Sequence, residues 1–222
     1  MTHPKQISQD QPDTPTTSVH VAVFDSLADW EIGHLTARIA NHRWQRDPGR
    51  FTIRTVAESL DPITTMGGLH LLPDLTFADL SPADSAMLVL PGGDVWDVDP
   101  TANAAAIAAA GRFLEAGVPV AAICGATAGL ARAGLLDDRD HTSSAPEYLQ
   151  FTGGPYAGGE RFRWDPAVDD GGLITAGPTH PVEFARAVFE RLEVFSPEIL
   201  DAWYKLFGQD DPSAYGVLAS AG

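Results

Sequence analysis

The chain has 222 residues, 44% of them hydrophobic, one cysteine and a formal net charge of −16. That length and apolar content suit one domain with a real core and short extensions. The acidic balance argues against nucleic acid or an anionic membrane as partner, and a lone cysteine excludes an internal disulfide. No apolar stretch approaches the ~20 residues of a membrane-spanning helix. Residues 1–18 are polar and lack the apolar segment of a signal peptide, so they read as a disordered leader and the protein as cytoplasmic.

Val19–Phe24 is a first strand whose unbroken apolar character suggests burial on both faces. Glu31–Trp44 is a helix, with Ile32, Leu35 and Ile39 at helical spacing. Phe51–Ala57 alternates like a strand, Met66-Gly67-Gly68 turns, and Leu69–Leu72 is a short hairpin strand. Met87–Leu90 is a buried strand ending in Pro91-Gly92-Gly93-Asp94, and the alanine-rich Asn103–Ala116 is helical.

The most informative stretch is Val118–Leu136, VPVAAICGATAGLARAGLL. A strand over Val118–Ile123 runs into a helix over Ala126–Ala133, with Cys124 at the junction. Ala122, Gly125 and Ala126 crowd that junction with small residues, as a strained strand-to-helix turn requires if its nucleophile is to project. The helix N-terminus would also favour a thiolate.

Beyond it, Arg139–Ala145 is a short strand or loop and Pro146–Phe151 a helical turn. Asp169-Asp170-Gly171-Gly172 turns into a strand at Leu173–Ala176. Pro181–Leu192 is a helix with Pro181 in its first position. Ser196-Pro197 opens a last helix, closed by Gly208, whose Ile199, Leu200, Trp203, Leu206 and Phe207 make a broad apolar face that could cover a site or seal a dimer. After Gln209 the tail reads as weakly structured. The units are thus residues 1–18, 19–195 and 196–222.

Strands alternating with helices imply an α/β sheet covered on both faces, with ligands at the carboxyl ends of the strands. Cys124, Gly92-Gly93 and Glu31 all lie just past strand ends. Paired backbone N–H groups of Gly93 and Gly125 could hold an oxyanion, and Glu31 is either a proton carrier or a carboxylate placed for its helix dipole. Trp30, Trp96 and Trp164 flank loops near the same ends, where they are pocket lining or ordinary core. His180 and His141 are candidate bases. No metal-ligand spacing is present.

Together VAVFDSLADWE, MLVLPGGD, AAICGATAGLARAGLL, HTSSAPEYL and LITAGPTHPVEFARAVFERL resemble the DJ-1/PfpI superfamily, related to class I glutamine amidotransferases. The resemblance implies a flavodoxin-like three-layer sandwich and a homodimer. It implies that Cys124 is the reactive cysteine, that Glu31 hydrogen-bonds its sulfur, and that Gly93 and Gly125 supply the amides. Two positions depart from the pattern: Gly125 stands where many members carry a His, and Ser144 where others place one. His180 or His141 could substitute, His141 also as a pocket residue. The implied activity is a cofactor-free, cysteine-dependent hydrolase, hydratase or glyoxalase-like reaction on a small carbonyl, amide or isonitrile-like substrate. The alternatives are an oxidative-stress sensor in which Cys124 becomes a sulfinate, a protein pairing Cys124 with His180 as in the amidotransferases, and a non-catalytic binding module.

Overall fold

The computed structural model describes residues 16–99 and 101–221. The leader expected over residues 1–18 lies mostly outside them; Thr17 and Ser18 already belong to the first strand. In chain order the elements are β1 (Thr17–Ala22), α1 (Asp29–Ala40), β2 (Phe51–Ala57), β3 (Ile63–Thr64), β4 (His70–Leu71), β5 (Leu75–Thr76), β6 (Ser85–Leu90), α2 (Val95–Val98) and α3 (Ala104–Glu115). There follow β7 (Val120–Ile123), α4 (Gly125–Arg132), α5 (Pro146–Thr152), β8 (Ala167–Asp170), β9 (Leu173–Ala176), α6 (Pro181–Arg191), α7 (Pro197–Gly208) and α8 (Tyr215–Ser220).

The described residues form a seven-stranded sheet of order β5-β2-β1-β6-β7-β9-β8, and β3 and β4 form a separate hairpin. All neighbours in the large sheet are parallel except β8, which folds back on β9. Gly171 and Gly172, with φ of 60° and 86°, make that two-residue turn, because both positions of a tight right-twisted hairpin need positive φ. The two aspartates before them are the last residues of β8 rather than part of the turn.

Alternation within each strand feeds two cores. Val19, Val21, Met87, Val89, Ala121 and Ile123 face the layer that contains α1, α6 and α7. Ala22, Leu88, Leu90, Val120 and Ala122 face the layer of α3 and α4. Burial on both sides is why these strands read as continuous apolar runs. The arrangement is the α/β three-layer sandwich with added C-terminal helices. The apolar face of α7 turns inward: Trp203 is fully buried, its ring 5.1 Å from Phe189 and 5.5 Å from Phe207. The tail is not weakly structured as its small residues suggested, since α8 forms there and buries Leu218.

The chain leaves β1 outward to β2 and later returns to β6 on β1's other side. That reversal opens a crevice beyond the carboxyl ends of β1 and β6. The segments following β1, β6 and β7 meet there.

Candidate active site

Cys124 links β7 to α4 with φ 58° and ψ −128°. A non-glycine residue there carries strain of about 1–3 kcal/mol and is held only by its surroundings. Here the backbone is held on both sides: Cys124 N–H donates to Ala176 O at 3.0 Å, and Thr127 Oγ1 donates to Cys124 O at 2.6 Å. Thr127 Oγ1 also pairs with buried Ser143 Oγ at 2.6 Å. The small residues have a direct cause. A Cβ on Gly125 would lie 2.9 Å from Trp96 Cβ, and one on Gly129 would lie 2.5 Å from Trp96 Cζ3. Trp96 is therefore the wedge that lies over the start of α4, buried, with Nε1–H donating to Pro91 O at 3.0 Å.

Glu31, in the first turn of α1, has no exposed surface. Gly92 N–H donates to its Oε2 at 2.6 Å, while Oε1 is buried with no nitrogen or oxygen partner. The polar group left beside the carboxyl is the Cys124 thiol. Gly92 seals the contact: a Cβ there would lie 2.6 Å from Cys124 Cβ, 2.7 Å from Glu31 Oε2 and 2.9 Å from Cys124 Sγ. Only glycine lets β6 end against both side chains.

Burial raises the Glu31 carboxyl above the usual carboxylate range, partly offset by the Gly92 N–H and the thiol. Burial and then the Glu31 charge push the Cys124 thiol up to about 12, with the Gly125 N–H pulling weakly the other way. Two adjacent acids, Glu31 fully buried and Cys124 partly so, resist losing both protons, so the pair keeps at least one proton at neutral pH.

Gly92 N–H is committed to Glu31, and the Gly125 N–H lies against the Cys124 sulfur. Gly93 has its own steric reason: a Cβ would lie 2.5 Å from Ser26 O, where the loop after β1 bridges to it. The histidines are engaged elsewhere. His141 is fully buried, its Nδ1–H donating to Arg139 O at 2.7 Å and its Nε2 accepting from Tyr156 Oη at 2.7 Å. Burial lowers its pKa, so it is a neutral packing residue and not an open pocket wall. His180 Nδ1 lies 3.2 Å from Thr179 Oγ1, and Glu183 accepts from Tyr204 Oη at 3.1 Å. Among the described residues no hydrogen bond joins His180 to Cys124 or Glu183. Trp96 is core, while Trp30 and Trp164 are exposed. Ser144 is exposed.

Sequence reasoning missed Tyr148 and Asp97. Tyr148 Oη donates to Asp97 Oδ1 at 2.7 Å, tying α5 to α2. Cys124 contributes to raising the Tyr148 phenol, and Asp97 to raising the Cys124 thiol. Nothing in their spacing announces this, because the two elements meet only in space.

The DJ-1/PfpI family model matches residues 17–191. A Bacillus subtilis protein described as the uncharacterized protease YoaZ is 36% identical over 201 residues, covering 90% of this chain and 95% of that one. Among solved structures, a thiJ/pfpI family protein from Bacillus anthracis superposes with a TM-score of 0.86 at 35% identity, covering 93% of this chain and 97% of that one. The DJ-1 superfamily protein Atu0886 from Agrobacterium tumefaciens gives a TM-score of 0.76 at 32% identity, with 88% and 100% covered.

Proposed function

This chain belongs to the DJ-1/PfpI family, and from that premise we propose that it is a cysteine-dependent enzyme that hydrolyses a small amide or related acyl compound. The observation that carries the reading is the fully buried Glu31 carboxyl beside the thiol of a positive-φ Cys124, with Oε1 left unpaired. The protease names of relatives agree with hydrolysis but do not supply a substrate.

In this mechanism the thiol proton passes to the Glu31 carboxylate as sulfur bonds to the electrophilic carbon. The carbon–oxygen π electrons move onto oxygen, held by the Gly93 and Gly125 N–H groups. Collapse expels the leaving group, which takes the proton from Glu31. Water then attacks the acyl-sulfur carbon, giving its proton to Glu31, and the thiol is restored. A carboxyl raised by burial toward neutrality suits both directions of transfer. An oxidant sensor asks for a ready thiolate at neutral pH. The buried acceptor Glu31 beside the thiol, which can take its proton during attack, supports turnover, and the bonds made by His180 and Glu183 do not support an amidotransferase-like relay.

The test is a panel of small amides and esters, assayed with the full chain, Cys124→Ser and Glu31→Gln. Cys124→Ser should lose all measurable turnover, and Glu31→Gln should lose about 10²–10⁴-fold. The acid limb of the wild-type pH profile should sit above 4.5 and vanish in Glu31→Gln. Unchanged turnover by Cys124→Ser rejects the mechanism.

A further inference from the structure

Arg132, the last residue of α4, is half-buried, and among the described residues it joins no ion pair. In a chain with 30 acidic residues its guanidinium is spent on two main-chain carbonyls instead. Nη1 donates to Thr152 O at 2.8 Å and Nη2 to Trp96 O at 3.1 Å. Both oxygens are helix-end carbonyls. Thr152 closes α5. Trp96 O, in the four-residue α2, would accept from the residue four positions on, but that residue is Pro100 and has no N–H. A cation is favoured at both ends. A helix of one turn has little stability of its own, so α2 is held by what it touches. Besides Arg132, these are Pro91 O, which accepts from Trp96 Nε1–H at 3.0 Å, and Tyr148 Oη, which donates to Asp97 Oδ1 at 2.7 Å.

We infer that Arg132 is a positioning residue for the elbow, holding the Trp96 wedge in place by its bond to the Trp96 carbonyl. That bond keeps the indole down on α4, where Gly125 and Gly129 leave room for it. α4 begins directly after Cys124, so the wedge fixes the direction of the Gly125 N–H that lies against the sulfur. Arg132 sits about two helical turns from Cys124, so it acts through Trp96 and not on the reacting atoms. Its contribution to turnover rests on the hydrolase reading above; its hold on α2 does not.

Arg132→Met keeps an unbranched apolar stem and removes both bonds. Arg132→Lys keeps the charge, but an ammonium lacks the fork that spans two carbonyls. On the amide and ester panel, Arg132→Met should lower kcat by about 10–100-fold and change KM by less than about twofold, because displaced reacting groups cost rate rather than binding. Arg132→Lys should recover part of that loss. Cys124 is the only cysteine, so its alkylation by iodoacetamide reads the elbow without turnover. Lifting the wedge uncovers the half-buried sulfur, and alkylation should become about fivefold faster or more in Arg132→Met. Gly129→Ala, whose methyl meets Trp96 Cζ3, should lift the wedge by itself. Combined with Arg132→Met it should then add little to either effect, as two changes acting through one element do. A lower melting temperature with kcat and alkylation unchanged, or effects that multiply in the double variant, would overturn the positioning role. Arg132→Lys carries the same test should Arg132→Met not fold. No turnover by the natural chain would defeat the hydrolase reading alone, and the alkylation series would still decide the hold on Trp96.

Discussion

A carboxyl with no exposed surface, one oxygen unpaired and a thiol beside it destabilises the fold at neutral pH. Its pKa is raised, so the native state holds the proton more tightly than the unfolded chain does. Stability from this group is present below about 4.5, the unfolded value, and declines as pH rises through the window above it. Glu31→Gln removes that dependence while keeping an acceptor for Gly92 N–H. We expect it to raise stability at pH 7 by about 1 kcal/mol and to flatten the pH–stability curve above 4.5, read by urea unfolding at several pH values. A variant that is less stable at both ends would show that the charge contributes favourably. Gly92 is the complementary case. A methyl at 92 has no space between Cys124 and Glu31, so Gly92→Ala must push the pair apart, with an expected loss of about 100-fold in kcat/KM and secondary structure retained. Full activity would mean that β6 can retreat. Cys124 and the glycines facing it were legible in the sequence because the elbow writes its steric needs locally, whereas Glu31 stayed open between a proton carrier and a helix-dipole carboxylate until the family resemblance placed it beside the sulfur. The engagement of His141 by Tyr156, and of Glu183 by Tyr204, was not legible, because each partner arrives from another segment of the chain.

Among the elements, legibility followed burial. β2, legible from its alternation, matches its expected span, and β6 and β7, whose burial makes them apolar runs, differ by two residues at one end. β5, α2 and α8 were missed: each is six residues or fewer, and such pieces are stabilised by what they pack on rather than by propensity. α7 was legible as a helix, but its apolar face left two destinations open. The structure turns it onto α1 and α6 of the same chain, with Trp203 between Phe189 and Phe207 and against the His34 ring. Trp203 Nε1 is buried without a partner, so the indole contributes through packing alone. Trp203→Ala should therefore cost about 3–5 kcal/mol, and Trp203→Phe, which removes the orphan N–H and keeps most of the ring, should cost less than about 1.5 kcal/mol. Equal losses in denaturant unfolding would mean that the N–H has a partner after all.

At the scale of the whole molecule, α7 covering its own chain leaves another face open. Trp30 in α1 is 52% exposed, and Leu69 and Leu72 around β4 are 59% and 70% exposed. They flank a predominantly apolar cleft of about 350 Å³ lined by Leu27, Ile32, Leu69 and Leu71. Exposed apolar side chains of this size are a feature of association surfaces, and we propose as their occupant a second copy of the chain, which the family resemblance implies. Trp30 precedes Glu31 in the same helix, so an interface here would hold the turn of α1 that positions the carboxyl beside Cys124. We expect sedimentation velocity at tens of micromolar to give twice the 23.6 kDa chain mass. Leu69→Glu with Leu72→Glu, which adds two charges to a chain already at −16, should give monomers. Added salt should tighten the natural dimer, because it screens repulsion between two acidic copies without weakening apolar burial. A natural chain that sediments as a monomer at all salt concentrations rejects the interface. A charged variant that stays dimeric instead places it on another face and separates assembly from the positioning of Glu31.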